Sequence, residues 1–442
     1  MAIVLRTRLD GMGNMAGVIL MVLFIIGYAL FSKYLATTPV TGPILFVAFG
    51  LLVGPEALDV VTVQLNSDGV QWLLEGTLVV ILFTDAAIID VRAVRRNLFV
   101  PVRLLTIGLV LTMAAGIAVA SAMFGDIGFW GAAVVAVVLA PTDAALGQAV
   151  VTNERVPHLV RQGLSVESGL NDGIVVPFLA IAIAGAAGEM QTASEIVALF
   201  VEEIGIAVIV GVVVGWLGGK MMTLAFGRGW MTREWRQVSV PLLAALCFLI
   251  ADALHGSGFI AAFVGGLAFG HVVREKYPDV CTFSEAVAYL MTMMSFFVFG
   301  SILLGPQLSS ITWEVIAYAA LSLTIVRMLP VAVALIGSKL DFRSVAYVGW
   351  FGPRGVASLV FVGTVVVEAD PADGEAIMIV VSTAVAMSVL LHGLSAWPLS
   401  NLYGRWYQEM QESEQPMVES IEAEHVTVRS RVTESHKSFG RG

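Results

Sequence analysis

Charge is scarce in this chain. Asp, Glu, Lys and Arg make up 13% of its 442 residues, against roughly 25% in soluble proteins, and that deficit excludes an ordinary soluble domain. Cysteine is scarcer still: Cys247 and Cys281 lack the spacing of metal ligands and read as buried, inert thiols. No basic tail or patch accompanies the formal net charge of −10, so nucleic acid is not an expected partner. The polar segments contain no nucleophile–base constellation, metal-ligand cluster or phosphate loop. Enzymatic chemistry is therefore not expected, nor is a resident cofactor.

Apolar residues fill the space that charge leaves, at 58% of the chain with a mean hydropathy of +0.88. Runs of about 20 apolar residues, the length that crosses a roughly 30 Å hydrocarbon core, recur along nearly the whole sequence. They fall near 16–34, 42–58, 69–89, 98–123, 128–151, 160–187, 195–219, 237–254, 256–273, 284–305, 311–337, 345–367 and 376–399. The alternating short segments of a β-barrel are not seen. The pattern predicts an all-α polytopic membrane protein of about thirteen spans.

Loop charge supports that number. With the C-terminus inside, the inner loops carry Lys33; Arg92, Arg95 and Arg96; Arg155 and Arg161; Lys220, Arg228, Arg233 and Arg236; Arg274 and Lys276; Lys339 and Arg343. The outer loops near 54–68, 188–195 and 368–375 carry no Lys or Arg, a positive-inside pattern that a miscounted span would scramble. Arg6 and Arg8 are the exception. The expected layout is a short outer N-terminus (1–15), a membrane domain (16–400) and a Glu-rich cytoplasmic tail (401–442) of flexible, solubilising character. The first segment lacks a small-residue cleavage site and reads as a retained span.

Two spans are interrupted by proline and charge. The fifth breaks at Pro141-Thr142-Asp143 and the twelfth at Gly352-Pro353-Arg354-Gly355, where proline removes a backbone donor and disfavours helix at the residue before it. An offset of seven spans is odd, so the two helices cross in opposite directions. Paired discontinuous helices in oppositely oriented halves point to a transporter site at the bilayer midplane. Broken helices leave partial charges in the membrane, and Asp143 at one break with Arg354 at the other can compensate them.

The sixth span carries Glu167-Ser168-Gly169-Leu170-Asn171-Asp172-Gly173. Residues four apart share a helix face, so Ser168 and Asp172 lie together, with Glu167 and Asn171 on a face about 100° away. The expectation is that Asp172 and Ser168 join Asp143 in an ion cavity while Glu167 and Asn171 point into protein. Gly169 and Gly173 permit close helix approach. Glu167 then needs a buried cation; Arg327 in the eleventh span and Arg354 are the candidates, Arg327 preferred. Asp85, Asp252, Glu202 and Glu203 read as funnel, boundary or contact residues, and His255, His271 and His392 as interfacial histidines.

These three motifs, the last extended to Trp350-Phe351-Gly352-Pro353-Arg354-Gly355, resemble the NhaP-like sodium/proton antiporters of the monovalent cation:proton antiporter group over roughly residues 16–400. The resemblance implies thirteen helices built from inverted repeats in a lipid-embedded homodimer. A core domain, including 98–187 and 311–399, would move against a dimerisation domain. It implies an ion site of Asp172, Asp143, Ser168 and the Thr142 carbonyl, with Glu167 acting through water or by structural pairing. Asn171 beside Asp172, where electrogenic relatives have two aspartates, implies electroneutral exchange of Na⁺ or Li⁺ for H⁺ across the inner cell membrane. Asp85, in Phe83-Thr84-Asp85-Ala86-Ala87, does not map onto a functional position of that family.

A hard cation prefers oxygen ligands, which carboxylates, a hydroxyl and a carbonyl supply, and protonating Asp172 removes charge and ligand together. Cation and proton would then exclude each other. Potassium/proton exchange on the same scaffold is the nearest alternative. An organic-anion carrier using Arg354 as a clamp is less consistent with the cation-favouring set Asp143, Asp172 and Ser168, and a non-transporting membrane sensor would not need two broken helices bearing charges.

Overall fold

The computed structural model describes residues 2–35, 38–60, 68–89, 99–143, 146–188, 193–368, 371–413 and 417–420. The expected inner-loop residues Arg92, Arg95 and Arg96, and the tail from 421 onward, lie outside them. Among the described residues every regular element is helical. Among the described residues nine helices are long and apolar enough to cross a membrane, and four shorter apolar helices accompany them at Gly42–Val53, Gly125–Val138, Gly258–Val273 and Val356–Val365. These thirteen segments fall one each on the apolar stretches read from the sequence. Large apolar side chains such as Leu30, Ile209, Met221 and Leu329 face outward, as they do on a protein solvated by lipid. The chain is a multi-pass membrane protein.

In chain order the helices are α1 (Ala2–Leu35), α2 (Gly42–Val53), α3 (Asp68–Ile88) and α4 (Phe99–Met123, with a π-helical turn at Leu104–Gly108). The fifth span is two pieces, α5 (Gly128–Val138) and the single turn α6 (Gln148–Val151); α7 (His158–Ala186) and α8 (Ala193–Gly227) follow. Next come α9 (Arg233–Ala253), α10 (Gly258–Val273) and α11 (Thr282–Val298), which runs on into a π-helical stretch at Phe299–Leu304. The eleventh span is also in two pieces, α12 (Trp313–Leu323) and α13 (Ile325–Ala334). The twelfth is α14 (Phe342–Trp350) and α15 (Val356–Glu368), and α16 (Pro371–Glu412) ends the bundle.

Two neighbourhoods emerge from the packing. Helices α3, α8, α9 and α10 pack together, as do α4, α5, α7 and α12 to α16, while α7 and α15 touch both groups. Without water to drive burial, association in lipid rests on close packing. On α7 that contact uses the predicted glycine pair: Phe263 of α10 packs against Gly173, and Asp85 of α3 against Gly169.

Two features differ from the sequence reading. The eleventh span bends at Thr324 (φ −111°, ψ −92°), where the Thr324 hydroxyl donates to Ala320 O at 2.6 Å, the local back-bonding that disturbs helices. Pro330 also leaves Val326 O without its helical donor. Beyond residue 400, α16 continues to Glu412, and Val418–Ser420 form a 3₁₀ turn whose Glu419 is only 2% exposed. Glu419 Oε1 accepts from Asp341 N at 2.8 Å and from the Ser344 hydroxyl at 2.6 Å. A tail carboxylate thus meets the unsatisfied donors at the N-terminus of α14, so this part of the expected flexible tail is docked.

Candidate ion-binding site

Proline at 141 cannot donate to Val137 O, which takes Ala140 N at 3.2 Å instead, and α5 stops at Val138 with further carbonyls open. The other break supplies their donors. Arg354 Nη1 donates to Ala140 O at 2.7 Å and to Pro141 O at 2.9 Å, and the Ser358 hydroxyl donates to Val138 O at 2.7 Å. In return, Asp143 caps the far side. Its Oδ2 accepts from Val356 N at 2.7 Å at the start of α15, its Oδ1 accepts from Leu146 N at 2.9 Å, and its own N–H donates to Pro353 O at 2.7 Å.

The electrostatics match. A helix C-terminus carries about half a negative charge and an N-terminus about half a positive one. Arg354, fully buried, faces the C-terminus of α5, and Asp143, 8% exposed, faces the N-terminus of α15. Each break therefore carries the counter-charge of the other. Charge-assisted bonds of this kind are worth about 1.5–3 kcal/mol each. Gly355 is what lets the carboxylate approach, because a Cβ there would lie 2.0 Å from Asp143 Oδ2. Gly355→Ala should open this cap, lowering unfolding stability in detergent by about 2 kcal/mol and reducing transport. A melting curve unchanged from the unaltered protein would contradict the cap.

On α7, Glu167 meets Arg327. The two oxygens accept from Nη1 at 2.6 Å and Nη2 at 2.9 Å, a bidentate fork between residues 2% and 1% exposed. Arg327 also packs beneath the second break, against Gly352. One turn away the Asn171 amide donates to Thr142 Oγ1 at 2.7 Å, and Thr142 Oγ1 lies 3.0 Å from Ser168 Oγ. An amide N–H only donates. Thr142 Oγ1 thus accepts from Asn171 and can pass its own proton to Ser168.

The expected division of α7 into two faces is thereby refined: Glu167 pairs with Arg327, and Asn171 joins Ser168 on Thr142. At 100° per residue, Asp172 falls between Ser168 and the glycine face that packs on α3 and α10. It is 7% exposed, on the helix that touches both groups. The structure thus brings Pro141, Thr142, Asp143, Arg354, Ser168 and Asn171 together around the two breaks, with Glu167 and Arg327 behind them and Asp172 buried one turn from Ser168.

Some neighbours escaped the sequence reading. Ser358 and Ser388 sit in unremarkable apolar sequence, and only their register one helix turn beyond the break and on α16 brings them in. His392, expected at a membrane interface, is instead 1% exposed beside the second break. Asp252 and His255 lie exposed, whereas Asp85 is buried against α7.

This arrangement offers oxygen ligands and a buried carboxylate at the boundary between two packed groups, which suits a small cation in exchange for a proton. Comparison with known proteins agrees. A probable sodium/proton antiporter of Schizosaccharomyces pombe is 27% identical over 245 residues, covering 51% of this chain and 32% of that protein. The potassium/proton antiporter NhaP2 of Shewanella sp. (strain MR-4) is 23% identical over 348 residues, covering 76% of this chain and 59% of that protein. The chain thus spans less than two thirds of the length of these curated relatives. The structure of the sodium proton antiporter MjNhaP1 from Methanocaldococcus jannaschii superposes with a TM-score of 0.70 at 20% identity, covering 86% of this chain and 99% of that one, a likeness of fold. The family described as sodium/hydrogen exchanger, transmembrane, matches residues 19–402. With that match running from the first apolar helix to the last and through both charged breaks, the chain belongs to the sodium/hydrogen exchanger family.

Proposed function

We propose that this protein is a secondary active antiporter exchanging Na⁺ or Li⁺ for H⁺ with no net charge moved. The observation that supports the reading is buried Asp172, one turn from Ser168 on the helix that meets both groups, with Ser168 beside Thr142 of the cross-capped break. In this mechanism the cation is held by Asp172, Ser168, the Thr142 carbonyl and Asp143, and a proton on Asp172 displaces it. Only the site neutralised by one or the other crosses the low-dielectric barrier, so exchange is obligatory. Glu167 serves by holding Arg327 and is not a ligand, since the bidentate guanidinium already neutralises its charge. We further propose thirteen spans in inverted repeats, a core moving against a dimerisation domain in a homodimer, and an outer N-terminus with an inner C-terminus in the cell membrane.

A potassium reading has its own support in the similarity to the Shewanella potassium/proton antiporter over three quarters of this chain. Proteoliposomes decide between them. Proton flux is followed with a pH-sensitive dye while Na⁺, Li⁺ or K⁺ is added, with voltage held at zero and at about −100 mV. Flux driven by Na⁺ and Li⁺ at both voltages is expected. Flux driven by K⁺ alone would move the assignment to potassium, and silence toward all three cations from folded protein would overturn antiport. Lowering pH on the cation side should raise the half-saturating cation concentration with the maximal rate unchanged; a fall in maximal rate alone would contradict competition at one site.

A further inference from the structure

The second break has two ends, the Trp350 carbonyl that closes α14 and the Arg354 N–H that precedes α15, and both are held by one helix. On α16, Ser388, His392 and Ser395 repeat at spacings of four and three and so share a face. His392 Nε2 lies 2.9 Å from Trp350 O, His392 Nδ1 lies 3.1 Å from Ser388 Oγ, and Ser388 Oγ accepts from Arg354 N at 2.7 Å. A carbonyl can only accept, so Nε2 carries the proton and the neutral ring accepts at Nδ1. The Ser388 carbonyl, 3.1 Å from Nδ1, suits the opposite tautomer, but that tautomer sets Nε2 against Trp350 O, acceptor against acceptor. One order of protons therefore satisfies the group: Arg354 N–H to Ser388 Oγ, Ser388 O–H to Nδ1, Nε2–H to Trp350 O. The Trp350 indole adds a bond to Ser395 Oγ at 3.0 Å and lies against the imidazole at 5.0 Å between ring centres.

From this geometry we propose that Ser388 and His392 are positioning residues for cation exchange, clamping the Trp350–Arg354 break at the shape that presents Asp143. The connection is short. The clamp fixes the residues on either side of Pro353, whose carbonyl takes the Asp143 N–H, and stands just ahead of Val356, whose N–H holds the Asp143 carboxylate. Arg354, oriented by its backbone bond to Ser388, reaches back to the carbonyls beside Thr142. Both side chains are buried, at 0% and 1% exposure, and buried polar groups that lose their partners are costly. A loosened break should therefore weaken cation binding first and the rate of turnover little. The inference rests on the antiport reading above.

The test compares Ser388→Ala, Ser388→Thr, His392→Ala and His392→Gln with the unaltered protein in proteoliposomes. Ser388→Ala and His392→Ala are expected to raise the half-saturating cation concentration about 10-fold, or about 1.4 kcal/mol, with maximal flux per folded protein within about 2-fold. The glutamine amide can still donate to Trp350 O, and threonine keeps the hydroxyl, so His392→Gln and Ser388→Thr should recover most of the loss. Unchanged half-saturation in both alanine variants, or glutamine no better than alanine, would overturn the proposal. An arm independent of transport follows amide hydrogen exchange at residues 351–356, expected about 10-fold faster in Ser388→Ala and restored in Ser388→Thr. Equal protection in all proteins overturns the clamp even where the unaltered protein moves no protons, a result that counts separately against antiport.

Discussion

Replacing Asp172 by Asn should reduce cation-driven proton flux by at least about 100-fold, equivalent to about 2.7 kcal/mol of lost coupling, while leaving the fold intact. Asparagine keeps the shape and one acceptor oxygen but can neither carry the negative charge that neutralises a cation nor take up the proton that replaces it. The exchange therefore loses both of its substrates at one atom. Stability should be spared because a neutral amide is less costly than a carboxylate at that depth. Flux assayed beside thermal unfolding in detergent separates the two effects. Retained exchange in Asp172→Asn would move the cation to other ligands, with Asp143 the first to consider. Asp143→Asn makes the contrast: it should also lose exchange, but with a stability loss of its own, because it removes the charge from the cap on Val356 N.

Much of this was legible in the chain before its coordinates. The helical bundle followed from apolar run length, and the two discontinuous spans from Pro141 and Pro353, since a missing N–H is a chemical fact visible in the letters. That Asp143 and Arg354 could compensate helix-end charge was readable too, but that each caps the other's break was not. What stayed hidden depends on rotation and register between helices. Glu167 had two arginines within reach by sequence, and only the bend at Thr324 and the packing of α13 on the second break turn Arg327 toward it. Asn171 was expected only to point into protein, and its bond to Thr142 depends on where Thr142 sits beyond the end of α5, which a helix wheel does not contain. Ser358, Ser388 and His392 carry no motif. A serine or histidine in an apolar helix acquires meaning from the orphan carbonyl or amide it meets, and the sequence does not print that encounter.

The pairing of Glu167 with Arg327 carries the second large effect, and it falls on stability. Glu167→Gln leaves a guanidinium 1% exposed without its counter-charge, and breaking a buried pair from one side costs about 3–5 kcal/mol. That is a large part of the 5–15 kcal/mol typical of a folded domain, so the variant should melt well below the unaltered protein and survive solubilisation in lower yield. Removing both charges is a different matter. Glu167→Leu with Arg327→Met takes away the desolvation of two ions along with their attraction, and should recover most of the loss. If the double variant is no more stable than Glu167→Gln, the packing of Arg327 against Gly352, and not its charge, holds the region together. Transport then distinguishes the role of Glu167. Both of its oxygens face Arg327, so the surviving folded fraction of Glu167→Gln should bind cation with a half-saturation within about 3-fold of the unaltered protein, a change of under about 0.7 kcal/mol. A shift as large as that of Asp143→Asn would instead make Glu167 a ligand, because a carboxylate that only anchors an arginine has no direct hold on the ion.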